Sequence, residues 1–137
     1  MPDILIYLRC MSKKIINSPQ APAPIGPYSQ AIEGNGLLFI SGQIALDPHN
    51  GELVMDSIET ETKQVMQNLQ AILNEAGLSF SHVVKTCIFL SDMAHFGTVN
   101  TIYATYFSSD FPARETVQVA GLPRGVNVEI SMIACRS

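Results

Sequence analysis

The sequence predicts an α+β sandwich in which a mixed β-sheet carries two helices on one face. Three observations point to it. Short apolar-rich runs with turn signals between them stand at both ends of the chain. Two longer stretches carry apolar residues at helical spacing. A single strand-like run separates those stretches, giving the order ββ-α-β-α-ββ. At 137 residues, with 15% charged and 47% hydrophobic, the chain suits one globular core. The low charge fraction and the mean hydropathy of +0.20 imply apolar surface covered by other subunits.

Each element has its own reason. Residues 17–30, "NSPQAPAPIGPYSQ", hold prolines at 19, 22, 24 and 27 and read as an extended loop laid on the surface. "YSQAIEG" and "LLFISGQIAL" are strands split by Gly34-Asn35-Gly36, an Asn-Gly hairpin signal. Pro48 and Asn50-Gly51 set a second turn that includes His49. Residues 56–77 form a helix, with Asp56 as cap and Glu59 in capping-box register. Its core stripe is Ile58, Val65, Leu69, Ile72, Leu73 and Ala76, and Gly77 ends it. Glu59 and Glu61 complement the helix dipole, which accounts for them better than catalysis does.

Residues 82–92 form a strand with Val84, Thr86, Ile88 and Leu90 on one face and Val83, Lys85, Cys87 and Phe89 on the other. Residues 92–107 form the second helix, capped near Asp92, with Phe96, Val99, Tyr103, Tyr106 and Phe107 as its buried stripe. "ETVQVAG" (115–121) and "VNVEISMIAC" (126–135) are the closing strands, joined by "LPRG". The last strand buries Val126, Val128, Ile130, Met132 and Ala134 on one face.

Several function classes are disfavoured. Cys10, Cys87 and Cys135 are odd in number and far apart, and the histidines at 49, 82 and 95 are isolated, so neither a disulfide framework nor a metal site is expected. The cysteine usage fits a reduced, cytoplasmic protein. The longest N-terminal apolar run, Ile4 to Leu8, is too short to cross a bilayer and has no signal-peptide flanks. A net charge of −4 with no basic tract argues against nucleic acid and anionic membranes as partners. Met11 opens a plausible start of its own. Residues 1–10 therefore read as an N-terminal extension, and residues 11–137 as the single domain.

A few residues break the local patterns. Arg114 follows Pro112 at the head of what reads as a buried strand, and Glu129 lies mid-strand on the face opposite Val128 and Ile130. Buried charges need partners, so the two residues belong either to a ligand site or to an ion pair. Gly42, inside "ISGQI", marks a bulge or a close approach of ligand to backbone, with Ser41 presenting a hydroxyl beside it. Tyr28 ends the proline-rich loop as a pocket wall or as packing, and Asn100 interrupts the apolar pattern of the second helix at a position open to solvent. No nucleophile elbow, phosphate loop or zinc-protease motif is present, so a covalent or metal mechanism has little support.

Taken together, "IGPYSQA", "LLFISGQIALDPHNGEL", "FPARETVQVAGLP" and "VEISMIA" resemble the Rid (YjgF-type) family of reactive-intermediate imine deaminases, from about Lys13 to the C-terminus. The resemblance implies a chorismate-mutase-like α+β fold, a homotrimer with pockets between subunits, and no cofactor. It implies hydrolysis of 2-imino acids such as 2-aminoacrylate/2-iminopropanoate and 2-iminobutanoate to 2-keto acids and ammonia. Matched residue by residue, it makes Arg114 the grip on the substrate carboxylate and Glu129 the residue that positions or activates water. Tyr28, Ser41, Gly42, Asn100 and Thr116 fall on substrate-binding positions. Thr116 stands where many members have cysteine, and Glu115 where a small residue is usual, which bears on substrate preference. The alternatives are a module that binds small keto or amino acids without turnover, and RNA cleavage, against which the acidic balance weighs.

Overall fold

The computed structural model describes residues 12–136. The expected 1–10 extension lies outside them. Strands β1 (Lys14–Ile16), β2 (Ala31–Gly34), β3 (Leu37–Gln43), β4 (Val83–Leu90), β5 (Ala113–Gln118) and β6 (Val128–Cys135) form a six-stranded sheet in the order β1-β2-β3-β6-β4-β5. Every pairing is antiparallel except β4 with β5. Helices α1 (Ile58–Glu75) and α2 (Phe96–Ala104) pack together, and α1 lies against β3 and β6. The mixed sheet with two helices is the expected α+β fold.

The hairpin forms as its sequence requires. Asn35 and Gly36 both have positive φ, 52° and 78°, which gives the primed turn whose twist matches the flanking strands. The start of α1 differs from expectation. Ser57, not Asp56, is the N-cap: its Oγ accepts from the Thr60 N–H at 3.1 Å, and the Thr60 Oγ1 accepts from the Ser57 N–H at 3.1 Å. A hydroxyl–hydroxyl capping box therefore replaces the acid pair read from the sequence. Asp92 does cap its helix: the Asp92 carboxylate accepts from the Ala94 N–H at 2.9 Å and opens a tight turn, Met93–His95, that leads into α2.

The core lies between sheet and helices. From β6 it takes Val128, Ile130, Met132 and Ala134; from α1, Val65, Leu69, Ile72 and Leu73. The alternation expected for β4 fails at its start, where Val83 is buried and Val84 exposed, because the ladder with β6 slips between Val83 and Lys85. β5 is not a buried strand. It is the edge of the sheet, paired on one side only, so most of it stays accessible in a single chain.

The proline-rich loop is pinned rather than loose. Gln30 is buried; its Oε1 accepts from the Ser18 N–H, and its Nε2 donates to the carbonyls of Ser18, Ala21 and Pro22. One amide side chain thus satisfies backbone that the prolines keep out of regular structure. No helix among the described residues is long and apolar enough to cross a membrane.

Candidate active site

The seven sequence-selected residues fall into two clusters on opposite faces of the sheet. The first stands on the helix face. Arg114 pairs in register with Thr86, whose Oγ1 lies 3.0 Å from the Tyr103 hydroxyl of α2. That register turns Arg114 toward α2, where its Nη1 donates to the Asn100 Oδ1 at 2.8 Å. The guanidinium carbon sits 5.1 Å from the Tyr103 ring centroid and 5.8 Å from that of Phe96. Phe96, Asn100 and Tyr103 occupy positions i, i+4 and i+7, one stripe of the helix, so α2 presents an aromatic–amide–aromatic seat to the arginine. Asn100 is solvent-exposed as expected, yet it also anchors Arg114. Thr116, two residues along the same face of β5, carries a buried Oγ1 without a hydrogen-bond partner.

The guanidinium meets no carboxylate among the described residues. Among the described residues the ion pairs are Lys85–Glu115, at 2.7 Å, and Arg136–Glu33. The simple pairing of Arg114 with Glu129 is therefore absent, and the fork keeps donors free for an anion. Glu115 points to the other face, where Lys85 holds its carboxyl below the usual carboxylate range, chiefly through their hydrogen bond. It does not crowd the arginine.

The second cluster stands at the start of β6 on the open face. Glu129 pairs in register with Phe89 of β4, so its side chain points away from the helices. Gly42 lies directly against it: a Cβ there would come within 2.9 Å of the Glu129 Cδ and 3.1 Å of its Cγ. The β3–β6 register shifts between Ile40 and Gln43, which is the irregularity expected at Gly42. Ser41, within that irregularity, donates its hydroxyl to the Ser29 carbonyl at 2.6 Å and so fixes the loop beside Tyr28. Tyr28 and Ser41 share the wall of an open groove of about 430 Å³, and Tyr28 and Gly42 line a smaller cleft. Burial pushes the Glu129 carboxyl above its ordinary value. A groove of about 530 Å³ over Phe80, Tyr106 and Phe107 contains none of the seven residues.

Within one chain the clusters do not meet. Arg114 aligns with Thr86 and Glu129 with Phe89, three positions along β4, and they flank that strand on opposite sides. The separation is about 10 Å along the strands and about 10 Å across them, with the side chains directed to opposite faces.

Three residues with roles at these clusters were not among those selected. Phe96 and Tyr103 read as members of a buried stripe, and their period-3.6 placement gave no sign that an arginine lies across them. Phe96 is in fact 37% exposed, because its ring covers Arg114 and not the core. Glu61 read as a dipole partner; it is fully buried, and its carboxylate accepts from Asn127 and Val128. No local signal could place it under β6, 66 residues away in sequence.

Comparison with known proteins shows the family and the fold. A family model described as Endoribonuclease L-PSP matches residues 18–136. The chain is 52% identical over 122 residues to a mouse 2-iminobutanoate/2-iminopropanoate deaminase, covering 89% of this chain and 90% of the relative. A solved Yersinia pestis protein of the conserved Rid family, YyfA, superposes with a TM-score of 0.89 at 48% identity, over 90% of this chain and 99% of that one. Escherichia coli TdcF with bound serine superposes with a TM-score of 0.87 at 38% identity, over 90% and 99% of the two chains.

Proposed function

This chain belongs to the Endoribonuclease L-PSP family, which includes the Rid proteins, and from that premise we propose that it is a 2-iminobutanoate/2-iminopropanoate deaminase. It hydrolyses reactive 2-imino acids to 2-keto acids and ammonia. The observation that carries this is Arg114: an arginine seated by Phe96, Asn100 and Tyr103, paired with no carboxylate among the described residues, and beside a Thr116 hydroxyl without a hydrogen-bond partner there. Such a fork fits a substrate carboxylate in bidentate fashion. The serine held by the related TdcF carries the same group.

Glu129 supplies the second function. Its raised pKa brings a carboxylate nearer neutral pH, where a general base is most effective. The base takes a proton from water as the oxygen adds to the carbon of the protonated imine. That proton passes to nitrogen, the C–N bond of the carbinolamine breaks as its hydroxyl gives its proton back to Glu129, and ammonia leaves as a keto acid forms. Imines already hydrolyse in water, so positioning and one base suffice, with no cofactor and no covalent intermediate.

Because Arg114 and Glu129 lie on opposite faces of one sheet, the complete site in this proposal forms between copies of the chain, arranged as a homotrimer. Phe39 and Val117, 46% and 45% exposed, lie on the open face with Phe89 and Ile133 and give it the apolar character of a covered surface. A cytoplasmic location belongs to the same proposal and is supported by the free thiols of Cys87 and Cys135.

The test couples an amino-acid oxidase, as the source of 2-iminobutanoate, to semicarbazide trapping. Wild type is expected to abolish trapping, while Arg114→Ala and Glu129→Ala do not. Undiminished trapping with wild type would overturn the catalytic reading in favour of the second one, a binder of small amino or keto acids. The serine in TdcF favours that alternative. The family description names an endoribonuclease, but a net charge of −4 argues against affinity for a phosphate backbone.

A further inference from the structure

Glu61 is the most deeply placed acid among the described residues, with no exposed surface, and no cation pairs with it there. Its partners are all N–H donors at the entrance to β6. Oε2 accepts from the backbone N–H of Asn127 and of Val128, each at 2.8 Å, and Oε1 accepts from the Asn127 side-chain amide at 2.9 Å. The far side of Asn127 is tied as well. Its Oδ1 accepts from the Ser91 hydroxyl and its carbonyl from the Ser91 N–H, both at 3.0 Å. The start of β6 is thus clamped between α1 and the end of β4.

Burying a carboxylate without a counter-ion is unfavourable, and an apolar side chain would fill the same space more cheaply. What only the carboxylate provides is direction: it fixes two successive backbone N–H groups. The next residue in the chain is Glu129. No side chain among the described residues hydrogen-bonds the Glu129 carboxylate, so its location derives from the β6 backbone and from its packing against Gly42.

Building on the deaminase reading, we propose that Glu61 is a positioning residue for the reaction, holding the Asn127–Val128 backbone so that the Glu129 carboxylate meets the attacking water. Glu61 touches no substrate. The effect of removing it therefore falls on turnover, while the carboxylate grip of Arg114 on the other face of the sheet is untouched.

The test compares Glu61→Ala, Glu61→Gln and Asn127→Ala with wild type. Glu61→Ala is expected to lower kcat by about ten- to a hundredfold with KM within about twofold, since small misplacements of a catalytic group have effects of that size. Glu61→Gln keeps an oxygen for the two backbone donors and is expected to stay within about threefold of wild type, with Asn127 turning its amide to match. Asn127→Ala removes the side-chain arm alone and is expected to fall between; it carries the test if Glu61→Ala fails to fold. A second readout is the Glu129 carboxyl titration followed by carbon NMR, which is expected to move toward the ordinary value in Glu61→Ala as water reaches the loosened strand. Equal changes in kcat and KM, or an unchanged Glu129 titration, would overturn the assignment. If wild type itself lacks deaminase activity, the deaminase reading fails, while the titration still decides whether Glu61 positions Glu129.

Discussion

Gly42 and Glu129 occupy space that only one of them can fill: a Cβ on Gly42 would stand 2.9 Å from the Glu129 carboxyl carbon and closer still to its Oε1. The atoms in the way are the far end of a flexible side chain, not backbone. Gly42→Ala is therefore expected to push the carboxylate aside without unfolding the protein. Deaminase turnover should fall about a hundredfold, while thermal unfolding shifts little. Wild-type turnover in Gly42→Ala would show that the carboxylate's position is not used.

The raised pKa of Glu129 links activity and stability to pH. Its base form is lost as pH falls through that raised value, so kcat/KM should decline on the acid side at a higher pH than an ordinary glutamate would give. The stability effect has the opposite direction. Because burial disfavours the charged form in the folded state, the ionised group weakens the fold at neutral pH, and the penalty disappears as the pH is lowered through the folded pKa. Glu129→Gln should raise the melting temperature at pH 7 to 8 while abolishing turnover, with the gap in melting temperature closing in acid. A melting temperature below wild type at neutral pH would contradict the burial argument.

Replacing Arg114 by Lys keeps a charge but loses the planar fork and its stacking on Tyr103 and Phe96. KM is expected to rise about ten- to a hundredfold, the size of a lost charge-assisted hydrogen bond, and Lys is expected to restore little over Ala. Steady-state kinetics on both variants decide this.

Subunit mixing tests whether the two clusters join between copies. Arg114→Ala and Glu129→Ala, each inactive alone, are unfolded together at equal amounts and refolded. Random assembly gives about a quarter of the sites an intact Arg114 from one copy and an intact Glu129 from another, so about a quarter of wild-type activity should return. No recovery, with mixed oligomers demonstrated by mass, would place both groups of a site in one chain.

The cap of α1 can be tested by stability alone. Ser57→Ala removes the hydroxyl that accepts from the Thr60 N–H, leaves the arm from the Ser57 backbone N–H in place, and should lower stability by about 1 kcal/mol, whereas Asp56→Ala should leave it nearly unchanged. Urea denaturation of the two variants separates the capping arrangements.

Local pattern carried far along this chain. Asn35-Gly36 announced its turn because few residues tolerate two successive positive φ angles, and Val128, Ile130, Met132 and Ala134 announced a half-buried strand by period 2. Arg114 and Glu129 stood out because each breaks such a pattern. The position of β5 was not legible, since periodicity reports which residues share a face but not whether a strand has one neighbour or two. The α1 cap was misread by one residue because Asp56 and Ser57 are both good caps and only backbone geometry selects between them.

By itself, then, the sequence determined both helices and five of the six strands in their order, the sheet-and-helix class and the residues that break the rules of burial; the short edge strand β1, Lys14–Ile16, was missed. These follow from chemistry within a few residues of one another. Only the tertiary structure decided that β6 enters the sheet between β3 and β4, because strand order depends on contacts between distant segments. That insertion turns Glu129 to the open face against Gly42, seats Arg114 on α2 across Phe96 and Tyr103, and buries Glu61 beneath Asn127. Each of these contacts joins segments whose proximity no local pattern encodes.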